Sequence, residues 1–176
     1  MPLFSIVIPV YNREREVPRA IQSCYVQSGV GFEVIVIDDG STDESVAAIE
    51  RCSRPGLKLA RHSVNCGWGN ARNSGVDSAC GDWIVFLDSD DKLLPGALNQ
   101  IRRKLDETGK DVQRLGFMYQ RDDGRISPLP PLRDEIVDYA GYLRWLEGRT
   151  LAECVVPQHI LAGHAGTDRL SACIAQ

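Results

Sequence analysis

Four times between Phe4 and Leu105 the chain passes from a short apolar run through a polar turn into a segment with helical spacing. That alternation restricts the fold more than any other feature. Phe4-Ser5-Ile6-Val7-Ile8-Pro9-Val10 is nearly continuous in apolar character, as a strand covered on both faces of a parallel sheet must be. Beyond Tyr11-Asn12, the positions Val17, Ala20, Ile21, Cys24 and Tyr25 lie on one helical face, with Pro18 tolerated in the first turn. Val34 to Ile37 is a second strand. It runs into Asp38-Asp39-Gly40-Ser41-Thr42-Asp43, where Ser41 and Glu44 have the spacing of a capping box for a helix through Glu50. Leu57 to Arg61 reads as a third strand, Asn70 to Ala79 as a helix, and Trp83 to Leu87 as a fourth strand leading into Asp88-Ser89-Asp90-Asp91. After Pro95 a helix carries Leu98, Ile101 and Leu105. Strand, loop and helix in this order predict a doubly wound α/β sheet.

Such a sheet binds ligands outside the carboxyl ends of its strands, and Tyr11, Asp39 and Asp88 each fall at one of those ends. Asp88 and Asp90 stand two apart, so persisting strand geometry would send both carboxylates to one side, where they can hold a hard cation. Oxygen ligands favour Mg²⁺ or Mn²⁺, with coordination positions left for phosphate oxygens that the ion would neutralise. Read alone, Asp-x-Asp is an acidic turn and Asp38 to Asp43 a polar one; position after buried strands distinguishes both. Arg72, near the start of the third helix, suits a nucleotide base or phosphate, its plainer role being a pair with a surface acid. Gly67-Trp68-Gly69-Asn70-Ala71-Arg72-Asn73 superficially matches a dinucleotide fingerprint, but Arg72 replaces the third glycine and the segment does not follow the first strand.

With 176 residues, 43% of them hydrophobic and 25% charged, the chain is large enough for one well-buried core, and a single domain is expected. The net charge of -4 and the lack of a basic run argue against nucleic acid as a main partner. The first apolar stretch is too short to span a bilayer and lacks the features of a signal peptide, so the expected location is the cytoplasm, compatible with a peripheral position on the inner membrane face. The six cysteines contain no C-x-x-C pair and are expected to be buried or half-buried thiols. His62, His159 and His164 show no spacing that marks a metal site or triad, and no serine stands in a nucleophile elbow.

The second half is less regular. Val112 to Ile126 reads as a hairpin turning at Asp122-Asp123-Gly124, Ser127 to Leu132 as a loop and Tyr139 to Glu147 as a short helix. Thr150 to Gln176 shows no clear strand or cap.

Together, Ile6 to Asn12, Val36 to Asp43, Asn70-Ala71-Arg72-Asn73 and Phe86 to Asp91 closely resemble the family 2 glycosyltransferases of the GT-A fold, in order and in spacing, over roughly residues 3 to 120. The resemblance implies a Rossmann-like mixed sheet flanked by helices and an inverting transfer from a nucleotide-diphosphate sugar, UDP-linked by family expectation, to a saccharide or lipid-linked acceptor. It maps nucleotide contacts to Pro9, Val10 and Tyr11, base contacts to Asp39 and Arg72, the ribose-side acid to Asp88 with Ser89 beside it, and the Mn²⁺ or Mg²⁺ and diphosphate to Asp90. The general base has no clear match, and Glu153 is the nominee over Asp134 and Glu135. Residues 1–130 then form the donor-binding core and 131–176 a partial or diverged acceptor side, leaving a binding module without turnover as the alternative. Val85 to Asp90 also resembles the nucleophile motif of haloacid-dehalogenase-like phosphatases, but Lys92 stands where those have Thr or Val. A receiver domain would carry its acid pair after the first strand, where this chain has Tyr11-Asn12.

Overall fold

The computed structural model describes residues 3–108, 115–116 and 154–157. Its centre is the apolar run Phe4–Val10, strand β1, which pairs in parallel with β2 (Phe32–Asp38) on one side and with β4 (Trp83–Phe86) on the other. Strand β3 (Leu57–Arg61) extends the sheet beyond β2, again in parallel. Two short strands, β5 (Leu115–Gly116) and β6 (Cys154–Pro157), complete a mixed sheet in the order β3-β2-β1-β4-β6-β5, with β6 antiparallel to both β4 and β5.

Alternation along β1 assigns its side chains to two layers. Phe4, Ile6, Ile8 and Val10 point into a core closed by Val17, Ala20, Ile21 and Cys24 of α1 (Val17–Tyr25), Ala48 and Ile49 of α2 (Ser45–Arg51), and Leu98 and Leu105 of α4 (Ala97–Thr108). Burying each such aliphatic side chain contributes roughly 1.5–3 kcal/mol before the entropy of ordering is subtracted. On the opposite face Val7 meets α3 (Trp68–Asp77) at Gly75, where an added Cβ would lie 2.2 Å from Val7 Cγ1. Only glycine lets this helix approach the sheet so closely.

The chain moves outward from β1 through β2 to β3 and then returns to place β4 on the other side of β1, which opens a crevice above their carboxyl ends. Pro9 suits this break. Val7 accepts the Leu87 N–H through its carbonyl, so the amide groups of Val7 and Pro9 face the β4 side; β4 has ended at Phe86, so the N–H that Pro9 lacks costs the ladder nothing.

Several local expectations require correction. No capping box forms: α2 starts at Ser45, and Asp43 Oδ1 accepts from the Ser45 N–H (3.0 Å) and hydroxyl (2.5 Å), while Ser41 Oγ accepts from the Asn12 N–H. Helix α3 begins at Trp68, two residues before the expected Asn70. Residues Cys154–Pro157, in a stretch read as lacking a strand, join the sheet against β4. Within the expected hairpin, Leu115–Gly116 pairs with this distant strand; its turn at Asp122-Asp123-Gly124, the loop Ser127 to Leu132 and the helix Tyr139 to Glu147 lie outside the described residues. Cys24 is buried and Cys52 half-buried as expected, but Cys66 and Cys80 are exposed. Among the described residues, no helix is long and apolar enough to cross a membrane.

Candidate functional site

The loops after β1 and β2 are stapled together by side chains. Asn12 sits at φ 52°, a left-handed conformation that asparagine tolerates better than most residues. Its Oδ1 accepts from the Thr42 N–H (2.9 Å), and its own N–H donates to Ser41 Oγ (3.0 Å). The Arg13 N–H donates to Ser45 Oγ and the Glu14 N–H to Asp43 Oδ2. Burial pushes the Asp43 carboxyl up, but hydrogen bonds from Ser45 and the Glu14 N–H outweigh it and hold the group below its usual value. Fully buried Asp38 closes the second turn, accepting from the Ser41 N–H and pairing with Arg61 Nε at 3.1 Å. At Gly40 (φ +73°) a Cβ would lie 2.6 Å from the Val64 carbonyl carbon, so this loop and the segment before α3 pack without side-chain space between them.

The turn after β4 is held from below. Ser23 Oγ of α1 accepts from the Leu93 N–H, and the Gln27 side chain bridges the Leu94 carbonyl and the Leu98 N–H. Strand geometry ends at Phe86, so a turn, closed by the Asp91 N–H on the Asp88 carbonyl, presents the two motif acids.

Between these supports lies a cleft of about 510 Å³. Pro9, Val10, Tyr11, Asp39, Arg72, Asp88, Ser89 and Asp90 all line it, so the structure brings every residue mapped to donor and metal onto one surface. Glu153, the nominee for general base, lies outside the described residues. Arg13, Asn65, Gly67 and Trp68 line the cleft too and were not singled out for the site. Half-exposed Tyr11 and Trp68 offer aromatic faces at its walls.

Asp39 is buried, yet opens on this cleft. Its Oδ1 lies 2.6 Å from His62 Nδ1 and accepts from the Cys66 N–H at 3.0 Å. The carboxylate partner of His62 lies 23 positions away in the chain, which is why spacing around the histidine gave no sign of it. Arg72, 2% exposed, places its guanidinium over the rings of Trp68 and Phe86 and donates from Nη2 to Asp88 Oδ1 at 2.5 Å. Among the described residues its Nε and Nη1 find no acceptor. A buried cation with unmet donors is costly, and among the described residues the Asp88 carboxylate and the two ring faces are what offset that cost.

Asp90 is the most open of the motif acids, its carboxylate 4.0 Å from Arg13 Nε while its backbone carbonyl accepts from Arg19 Nη2. Asp88 and Asp90 provide oxygen donors alone, one braced by Arg72 and the other open to solvent, and this donor set fits a hard divalent cation that completes its shell with water and phosphate oxygens.

Residues 5–155 match the model of the family described as "Glycosyl transferase family 2". The chain is 37% identical over 112 residues to the succinoglycan biosynthesis protein ExoO of Rhizobium meliloti, covering 64% of this chain and 32% of that protein. It is 32% identical over 110 residues to the GalNAc(5)-diNAcBac-PP-undecaprenol beta-1,3-glucosyltransferase of Campylobacter jejuni, covering 61% of this chain and 36% of that one. Among solved structures, S. aureus TarS 1-349 in complex with UDP-GlcNAc is similar with a TM-score of 0.75 and 25% identity, over 91% of this chain and 46% of its own. The mannosyltransferase PcManGT from Pyrobaculum calidifontis, in complex with GDP-Man and Mn²⁺, shares the fold with a TM-score of 0.68 and 21% identity, over 95% and 48% respectively. The chain thus spans about a third of these curated relatives and about half of these structures.

Proposed function

The chain belongs to glycosyl transferase family 2 and has the GT-A fold, and from that premise we propose that it binds a UDP-sugar in the cleft above β1, β2 and β4 and transfers the sugar, with inversion, to an acceptor hydroxyl. One observation carries the reading: residues from three separate strand ends and the start of α3 converge on a single cleft that combines aromatic faces, a buried carboxylate and two cation-competent acids. Its volume falls in the ordinary range for small-molecule sites.

Tyr11 offers a face for the base, and the Asp39 carboxylate accepts from a base N–H or a ribose hydroxyl. Arg72 keeps Asp88 fixed toward the ribose, with further donors for base or phosphate oxygens. Asp90 and Asp88 would hold Mn²⁺ or Mg²⁺, and the ion would supply the positive charge that neutralises a diphosphate leaving group. Arg13, at the open end beside Asp90, adds positive charge where the phosphates approach. In the transfer the acceptor oxygen bonds to the anomeric carbon as the bond to diphosphate breaks on the opposite face, and the hydroxyl proton passes to a carboxylate, a role assigned to Glu153.

The neighbour holding UDP-GlcNAc supports the nucleotide, and the one holding GDP-Man with Mn²⁺ supports a divalent ion. Relatives named for succinoglycan biosynthesis and for an undecaprenol-linked substrate support a saccharide or lipid-linked acceptor, and hence work at the cytoplasmic face of a membrane. Residues 1–130 form the donor side and 131–176 contribute to the acceptor side. Calorimetric titration of UDP with Mn²⁺ and again with EDTA, followed by hydrolysis of a UDP-sugar panel, tests this. Metal-dependent binding with slow donor hydrolysis is expected; binding without hydrolysis would leave a donor-binding module, and no binding would reject the reading.

A further inference from the structure

Asp39 is held by a residue outside the four sequence motifs. His62 follows directly on β3, its N–H donating to the Asp38 carbonyl at 2.8 Å, so the backbone ladder fixes where its ring begins. The ring then bridges two elements: Nδ1 lies 2.6 Å from Asp39 Oδ1 and Nε2 lies 2.9 Å from Ser74 Oγ on α3. A carboxylate oxygen only accepts, so Nδ1 donates to Asp39 Oδ1, and Nε2 is left to hydrogen-bond the Ser74 hydroxyl. The Cys66 N–H donates to the same Oδ1 at 3.0 Å. Among the described residues, both hydrogen bonds to this carboxylate fall on Oδ1, and the side chain is otherwise buried and borders the cleft.

We propose that His62 is a positioning residue: with Ser74 behind it and the Cys66 N–H beside it, it saturates Oδ1 of Asp39 and leaves Oδ2 as a fixed, acceptor-only reader of the nucleotide base. An acceptor-only oxygen selects a base that presents a ring N–H, as uracil does at N3, and leaves unpaired any base methylated there. This inference rests on the donor reading above and deepens it, adding to Asp39 the group that sets its orientation.

The test compares UDP with 3-methyl-UDP by calorimetry, both with Mn²⁺, on the unaltered chain and on His62→Leu, His62→Asn and Ser74→Ala. The unaltered chain is expected to prefer UDP at least tenfold. Removing a hydrogen bond to a charged group costs about tenfold to a hundredfold in affinity, so His62→Leu should lose UDP binding by that factor and 3-methyl-UDP binding by about threefold at most. Its base preference therefore collapses. His62→Asn, whose side-chain amide can replace the Nδ1 donor, should restore the preference to within about threefold, and Ser74→Ala should erode it partially. If His62→Leu weakens both ligands equally, or leaves UDP affinity unchanged, the positioning role is overturned. Should His62→Leu fail to fold, the decision passes to Ser74→Ala, whose unaltered base preference would equally overturn it. Failure of the unaltered chain to bind UDP would instead remove the donor reading, and this inference with it.

Discussion

Gly75→Ala concentrates the link between packing and site in one methyl group. The added Cβ would lie 2.2 Å from Val7 Cγ1 and 3.2 Å from Cγ2, against about 3.5–4.0 Å for a relaxed carbon contact. Val7 cannot retreat, being fully buried in a strand paired on both sides. Helix α3 must therefore shift outward by more than an ångström. Overpacking of this kind costs about 1–3 kcal/mol, and the better helix propensity of alanine returns up to about 1 kcal/mol. The net loss of about 1–2 kcal/mol should lower the midpoint by about 2–8 °C in a chain of this length. Because α3 carries Trp68, Ala71 and Arg72 into the cleft, nucleotide affinity should fall as well. Thermal denaturation of Gly75→Ala, Val7→Ala and the double variant provides the assay, since the smaller Val7→Ala side chain makes room for the methyl. The two changes should be strongly non-additive, the double variant being more stable than the sum of the single losses. Additive losses, or a Gly75→Ala chain as stable as the parent, would refute the close-approach argument.

Asp90→Asn should reduce Mn²⁺-dependent UDP affinity at least tenfold while leaving the residual affinity in EDTA unchanged, as paired titrations would reveal. Asn12→Ala should cost about 1–2 kcal/mol from the left-handed backbone at φ 52° and the lost bond to the Thr42 N–H, and Asn12→Gly should recover the backbone share; urea midpoints decide. Burial pushes the Cys24 thiol up to about 12, only partly countered by Ser23, so the folded state favours the neutral form. Stability should be intact below pH 9 and fall toward pH 12, and Cys24→Ala should flatten that limb in a pH series of melts. Glu33 is opposite in sign: burial raises its carboxyl, but bonds from Lys58, Ser5 and the Cys80 N–H outweigh this and hold it low. Its contribution is present above the ordinary glutamate value and lost as pH falls, a loss that Glu33→Gln should remove.

What was legible in the sequence was what local pattern encodes. Continuous apolar runs gave β1, β2 and β4 because buried parallel strands need them, and the acids and aromatic that follow those strands lie where the topology opens its crevice. Relations between distant segments were not legible. The strand at Cys154–Pro157 owes its existence to the edge of β4, and a four-residue stretch has no periodicity of its own to announce that pairing. Ser41 and Glu44 have capping-box spacing, but Ser41 is engaged by Asn12 from the neighbouring loop and Asp43 takes over the helix start. The same holds for His62, whose partners Asp39 and Ser74 arrive from β2 and α3. Arg72 makes the ion pair that was its plainer reading, but its partner is Asp88 of the cleft, 16 positions away in the chain.

A crystal structure of this chain with UDP and Mn²⁺, with data collected at a wavelength where manganese scatters anomalously, tests the donor site most directly. The donor reading predicts a manganese peak on the Asp90 carboxylate, the uracil against Tyr11 and its N3 within hydrogen-bond distance of Asp39. A manganese peak away from Asp88 and Asp90, or a nucleotide bound outside this cleft, would contradict it.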